Sequence, residues 1–526
     1  MSKKHKPKLM HKAAALFLAL GFGIGSLVLG NGTDKLSAQS GGPFAEPEEE
    51  DLSVQDSSIR PRDKKIDLDK IINWEPTGDV YDQIHKASVP LQSRVMGSKV
   101  NPLANPDAKV MSLAYLSSAS PGHSAVGGGD EGFKIYAFDN WQLLDNMVFW
   151  DGVIPNPEVT DAAHRNGVPM YGTIFFNWGS DGSMARLTLE EDSPGSGTYP
   201  VARKYAEIAK YYGFDGYFIN QESSFSTEGF YKWLQYMHKY AEEIGYPIEI
   251  TWYDGSSSLY GSGLVKNNEE GNPPADSYFM DFPWGSSSIN NTINSFEGAG
   301  KNKYNAFAGW ELQRGGAYNT YQKKGTLIDP STNMTRLSLG LFVPDTILGM
   351  SSSGEDYHIQ EQKFWVGHTN DPRTADDAQE WSGIARFVAD KTPITSMPFS
   401  TDFNTGHGRK WFINGQESLD AEWNGRSVQD VMPTWRWSID NSANAISGSY
   451  DFQDAFNGGT SLAFTGSVSE NGTSQINLYS TQLNMTSNSK IEVALKESSD
   501  QKVEVGLATS ADYSDLHFFE LKAENN

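Results

Sequence analysis

Residues 214–222 read FDGYFINQE, an apolar and aromatic run that opens on Asp215 and Gly216 and closes on an amide and a carboxyl. Side chains at i and i+2 of a strand share a face, with Cα atoms roughly 6.5 Å apart, so a strand here turns Asn220 and Glu222 to the same side. Residues 205–212 before it have helical composition, and Gly213 breaks that helix. Helix, glycine turn, strand and polar exit make one βα repeat. In a (β/α)₈ barrel the C-terminal strand ends carry the chemistry, which gives the polar pair at this exit its interest. The competing reading, in which Asn220 starts a turn and Glu222 caps the next helix, accounts for an isolated Asn-x-Glu but not for the whole string.

Outward from this repeat, apolar strand-like runs recur with helical segments between them: VMSLAYL, VPMYGTIFF, FDGYFI, IEITWY, SYFMDF, YNAFAGW and LSLGLFV. Such alternation implies a parallel sheet with helical crossovers, and a single α/β barrel of the TIM type is the economical closure. Beyond about residue 397 the pattern changes to short strands separated by Gly, Ser and Asn, among them INLYSTQL, KIEVALKE and KVEVGLA, which reads as a β-sandwich. The expected organisation is a leader over 1–38, an acidic linker over 39–69, a catalytic barrel over 70–397 and an accessory sandwich over 398–526, with its C-terminal end abrupt.

The leader is expected from five lysines within the first twelve residues, an apolar run over 13–30, and small residues near a cut after Ala38. Uncleaved, the run is nearly long enough to span a bilayer. This layout predicts export to the extracellular space, free or at the cell surface, with no stable membrane association after cleavage. Residues 41–69 are rich in Pro, Glu and Asp and unsuited to packing.

The composition, 38% hydrophobic with 12% aromatic residues over 526, supports sizeable cores. With no cysteine there is no disulfide and no thiolate metal site. A net charge of −24 argues against nucleic acid, whose phosphates require clustered Lys and Arg.

The string at 214–222 resembles the active-site strand of the family 85 glycoside hydrolases, endo-β-N-acetylglucosaminidases that cut the chitobiose core of N-linked glycans. It is more remotely similar to the family 18 chitinase signature FDGxDxDxE: Asp215 matches the first acid, Phe218 stands at the second, Asn220 replaces the third and Glu222 matches the catalytic acid. Blocks similar to family 85 recur in order at IINWEP (Asn73, Trp74, Glu75), FFNWG, WYDG, LSLGLFVPD, FNTGHG and NGRSVQDVMPTWRW, covering roughly residues 70–460.

The resemblance implies a retaining, substrate-assisted hydrolase acting on N-glycans of glycoproteins, with transfer to other acceptors and no cofactor. In that chemistry the sugar's 2-acetamido oxygen attacks C1, so one protein carboxyl suffices. Glu222 is then the general acid and base, held in its protonated form by an apolar surround for which Phe218, Phe225 and nearby tryptophans are candidates. Asn220 orients the acetamido group, and Tyr253, at the exit of the IEITWY run, aims its carbonyl. Trp284, Phe282, Trp178 and Trp310 lie near comparable exits and are candidate sugar platforms, Trp284 foremost, because aromatic faces stack on pyranose rings.

Other constellations carry less. No histidines fall at HExxH spacing, so no metal is expected. Gly127–Gly129 lacks the Lys-Ser or Lys-Thr of a phosphate loop, and the acids over 371–380 read as a solvated face. His407, between two glycines, reads as a turn residue. A chitinase-like hydrolase is the alternative enzyme, opposed by Asn220, and a non-catalytic glycan-binding barrel is the third class, opposed by Glu222.

Overall fold

The computed structural model describes residues 20–21, 66–77, 80–97, 100–116, 132–314, 318, 324–374, 381–497, 502–510 and 513–521. Apart from residues 20–21, the expected leader lies outside them, as do the expected linker up to residue 65, the Gly127–Gly129 turn, and residues 375–380 of the acidic stretch.

Eight parallel strands close a barrel: β1 (Val110–Ala114), β2 (Asn146–Phe149), β3 (Met170–Phe176), β4 (Gly216–Gln221), β5 (Glu249–Tyr253), β6 (Ser277–Met280), β7 (Ala306–Glu311) and β8 (Ser338–Phe342), with β8 pairing back onto β1. The apolar runs of the sequence locate seven of these. The remaining one, β2, follows a 3₁₀ turn at Trp141–Leu143 and falls outside them. Long crossover helices are α1 (Pro157–Arg165), α2 (Pro200–Tyr212), α3 (Tyr231–Glu243) and α4 (Ser286–Gly298), and α5 (Gly354–Trp365) follows β8. Helix α2 starts on a proline whose missing N–H costs nothing there, and ends on Gly213 in the left-handed region (φ 79°), the break seen in the sequence.

The strands have two apolar faces. Met111, Leu113, Val148, Tyr171, Phe218, Tyr253, Phe279 and Phe307 fill the barrel interior, whereas their neighbours Tyr217, Ile219, Ile250, Trp252, Tyr278 and Met280 pack outward against the helices. The interior is so tight around Phe279 that a methyl group on Gly340 would stand 2.2 Å from its ring, so only glycine fits on that strand.

At the N-terminal rim one device occurs three times. Asp145, Asp215 and Asp276 each immediately precede an even-numbered strand and accept the backbone N–H of Val110 (2.9 Å), Met170 (2.8 Å) and Ile250 (2.7 Å) on the strand before. Each carboxylate also holds a cationic or titratable partner: Asp145 takes Arg94 at 3.0 Å and Lys391 at 2.6 Å, Asp215 takes His164 Nε2 at 2.8 Å, and Asp276 takes His238 Nε2 at 2.9 Å. His164 and His238 project from α1 and α3, so the two histidine clamps each tie two strands to a helix. The first acid of the quoted string therefore sits at the barrel's foot, away from the exit where Asn220 and Glu222 lie.

The tail is strand-rich, built from antiparallel pairs: β9 (Ser438–Ser442) with β12 (Thr473–Asn477), β10 (Ala445–Asp451) with β11 (Ser461–Ser467), and β13 (Glu504–Ala508) with β14 (Leu516–Glu520). KIEVALKE forms no strand; Ile491 and Leu495 are 37% and 42% exposed, and of its alternating apolar residues Val493 packs against the core of the tail. Two family-like blocks build the joint between tail and barrel. Gln429 accepts Trp141 Nε1 at 2.6 Å and donates to the carbonyls of Phe138 and Thr405, both at 2.9 Å. Arg436, fully buried, pairs with Asp139 at 3.0 Å, and Tyr450 donates to the same carboxylate at 2.8 Å. Burial alone would raise the Asp139 carboxyl, but Arg436, His358 and Tyr450 outweigh it and hold the group well below the usual carboxylate range. His407, expected in a turn, lies in a two-residue strand: its ring is fully buried, with Nε2 2.7 Å from His358 Nε2 on α5, and burial followed by that neighbour pushes it down to about 3.

The rim clamps predict a pH signature. Burial depresses the rings of His164 and His238, yet Asp215 and Asp276 more than compensate, and both stand above the ordinary 6.5. Their ionic contribution is complete below that value and vanishes as pH rises through the folded value. His164→Gln and His238→Gln should therefore lower the urea midpoint more at about pH 6 than at about pH 8.5; an equal or larger effect at the higher pH would contradict the assignment.

Candidate active site

The β3–β4 ladder continues one residue past β4, because Glu222 N–H donates to the Phe176 carbonyl at 2.9 Å. Phe218, Asn220 and Glu222 consequently keep one parity, and the Phe218 ring lies in the barrel interior. Asn220 is 4% exposed and gives its amide N–H to Glu222 Oε2 at 2.8 Å. An amide that spends its donor this way keeps its carbonyl oxygen available as an acceptor.

Tyr253 lies beside Asn220 in the β4–β5 register. Its ring stacks on Phe218 (6.3 Å between centroids, 28° between planes), and its hydroxyl donates to Asp281 Oδ1 at 3.2 Å. Burial, then the charges of Asp281 and Glu222, push the phenol far above its usual range, so it stays a hydrogen-bond donor. Beneath the three polar groups is an aromatic floor. Trp150 meets Phe218 at 5.7 Å, Phe175 at 4.9 Å and Phe342 at 5.1 Å, and Phe282 meets Phe342 at 5.3 Å.

The candidate platforms separate in this frame. Phe282 belongs to the floor. Trp178, on the loop after β3, is 84% exposed at the barrel mouth. Trp284, expected to be foremost, is 5% exposed and donates Nε1 to the Gly309 carbonyl at 2.7 Å, which fixes it in the outer core. Trp310 is 1% exposed and packs on Trp381 and Phe387. Neither can offer a face to a sugar, because β7 turns Trp310 outward by parity and Trp284 lies below the rim. Phe225 packs on Phe230 among the outer aromatics, whereas Phe218 shares the inward face with Asn220 and Glu222.

Asp281, Trp150 and Phe342 join the site without having been expected there, as does a second polar group on the opposite wall. There Asp345 accepts Tyr115 N–H at 3.1 Å, Asp151 accepts Leu116 N–H at 2.7 Å, and burial pushes the Asp345 carboxyl up to about 8. Asp345 closes the family-like block LSLGLFVPD, whereas Asp151 is marked only by its position just past a strand end. Among the described residues no three His, Asp or Glu side chains gather as metal ligands, and no helix is long and apolar enough to cross a membrane.

Residues 117–411 match the model of glycosyl hydrolase family 85. The glycoside hydrolase domain of Endo-D from Streptococcus pneumoniae superposes with a TM-score of 0.75 at 42% identity, over 81% of this chain and 70% of that one. Among curated relatives, the cytosolic endo-beta-N-acetylglucosaminidase of Gallus gallus is 25% identical over 76% of this chain and 52% of its own length, and cytosolic endo-beta-N-acetylglucosaminidase 1 of Arabidopsis thaliana is 24% identical over 67% and 50%. The chain thus spans about half the length of these relatives. Their names overturn one expectation: the basic and apolar N-terminus pointed to an exported protein, whereas these relatives are cytosolic, and the extracellular assignment is withdrawn. A short basic-apolar run is a compositional signal that many sequences meet without being exported.

The two tryptophans give opposite expectations. Trp284→Ala should lower stability by about 3–5 kcal/mol in denaturant unfolding, as loss of a large buried ring does, while Trp178→Ala should stay within about 0.5 kcal/mol of the parent. Comparable losses for both would show that Trp178 is packed rather than presented.

Proposed function

The chain belongs to glycosyl hydrolase family 85, and from the groups at its barrel mouth we propose that it is an endo-β-N-acetylglucosaminidase cutting the GlcNAc-β1,4-GlcNAc core of N-linked glycans. The observation that carries this reading is the shared inward face of Asn220 and Glu222, 2.8 Å apart, with the Tyr253 phenol in register beside them. One amide, one carboxyl and one phenol suit a sugar that brings its own nucleophile. Asn220 Oδ1 accepts the acetamido N–H, and Tyr253 donates to the acetamido carbonyl and holds it under C1. As that oxygen bonds to C1, the glycosidic C–O bond breaks and its oxygen takes the proton of Glu222. The Glu222 carboxylate then removes a proton from water, whose oxygen opens the oxazolinium ring at C1. Two displacements at one carbon leave its configuration retained.

The positive charge of the oxazolinium forms within the Asn220 amide dipole, a preorganised electrostatic aid of the kind worth about 100- to 1,000-fold in kcat per group. An acceptor hydroxyl placed where water stands takes the same route, so transfer to N-acetylglucosamine accompanies hydrolysis. Asn220 also weighs against a chitinase-like enzyme, whose pattern places an acid there. Retention of Glu222 weighs against a barrel that only binds.

Glu222→Gln should bind a glycoprotein glycan and release it about 100- to 10,000-fold more slowly, the usual range for a lost general acid. Asn220→Ala should fail on the same glycan yet process a preformed sugar oxazoline, which bypasses ring closure. Mass spectrometry of released glycans measures both, and normal turnover by Glu222→Gln, or an inverted anomer by NMR, would refute the chemistry.

A further inference from the structure

The Tyr253 hydroxyl has one proton, and two carboxylates press on it. Burial and the charges of Asp281 and Glu222 all act against its ionisation, yet the hydrogen bond it makes goes to Asp281, at 3.2 Å. The ring cannot turn to choose. It is stacked on Phe218 at 6.3 Å on one side and meets Phe279 edge-on at 6.1 Å on the other, so the remaining freedom is the direction of O–H in the ring plane. Asp281 is itself held: it follows β6 directly, shares the inward parity of Phe279, and its own N–H donates to the Ser256 carbonyl at 2.9 Å on the turn after β5. The neighbouring acid, Asp254, is occupied elsewhere, accepting Tyr278 OH at 3.0 Å and Ser256 N–H at 3.2 Å.

We propose that Asp281 is a positioning residue acting through Tyr253: it takes the phenolic hydrogen bond in the resting site and holds the hydroxyl in place until an acetamido carbonyl arrives to receive it. A phenol already held toward Asp281 has its oxygen fixed beside Asn220, so an arriving acetamido carbonyl meets a donor that needs only to turn. When the sugar enters, rotation about the phenol C–O bond hands the donor from Asp281 to the acetamido oxygen, with no movement of the ring. The device rests on the reading of the site as a substrate-assisted hydrolase.

The test is a double-mutant cycle on Asp281 and Tyr253 in the full chain, with steady-state kinetics on a glycoprotein N-glycan and, separately, on a preformed sugar oxazoline. Asp281→Ala should lower kcat on the glycoprotein about tenfold or more with KM changed less than about threefold, the scale of a lost charge-assisted hydrogen bond. In a Tyr253→Phe background the same substitution should change kcat by less than about twofold, and on the oxazoline it should match the parent. Asp281→Asn, which keeps an acceptor in place, should recover most of the lost rate, and it serves alone if the alanine variant melts early. Losses that multiply in the double variant, full activity of Asp281→Ala, or a folded but inactive Asp281→Asn would overturn the proposal while leaving the function intact; a parent chain that releases no glycan would instead sink the functional reading.

Discussion

The carboxylate of Asp215 sets the height of the whole site. It accepts Met170 N–H and His164 Nε2, both at 2.8 Å, and so locks the foot of β4 against β3 and α1. A strand has a side-chain period of two, so a slip of one residue would send Asn220 and Glu222 into the helical layer and Ile219 and Gln221 into the mouth. Gly216 closes the same lock, since a methyl group there would stand 2.1 Å from the Glu249 carbonyl oxygen on β5. With the foot pinned on both sides, the six residues from Gly216 deliver Glu222 to the rim at a defined depth and azimuth.

Depth matters because the polar groups sit on an aromatic floor. Phe218, Trp150, Phe342 and Phe282 exclude water beneath Asn220, Glu222 and Tyr253, and in such surroundings hydrogen bonds and dipoles act with less screening than in solvent. The same tightness that forces glycine at position 340 fixes the Tyr253 ring between Phe218 and Phe279. Packing therefore holds the Tyr253 ring while its O–H remains free to turn, and a donor held in this way needs little reorganisation to react.

The tail is joined to the barrel through buried, hydrogen-bonded polar groups rather than through a loose apolar seam. Arg436 and Asp139 are both almost wholly inaccessible, and Gln429 satisfies a tryptophan and two carbonyls at once. Breaking one partner of a buried ion pair strands the other, which costs about 3–5 kcal/mol. Such a joint specifies one docking geometry, and through Asp139, Trp141 and His358 it braces the segment before β2 and the helix after β8. FNTGHG and NGRSVQDVMPTWRW thus serve the joint rather than the reacting groups.

By itself the sequence determined what has a local period. Alternation in FDGYFINQE, the glycine after α2 and repeated apolar runs led to a parallel barrel and to Asn220, Glu222 and Tyr253 at neighbouring strand exits, because strand parity is a property of the chain alone. It did not reveal β2, which follows closely on a 3₁₀ turn, nor could it divide the aromatic residues. Trp284 and Trp178 have the same composition and similar spacing from a strand end; one is buried on a carbonyl and the other is 84% exposed. Asp281 and Asp215 are likewise two aspartates beside strands, one facing the phenol at the mouth and one clamping the foot. Which end and which face a side chain serves depends on strands distant in sequence meeting in register, and that is fixed by closure of the barrel in three dimensions.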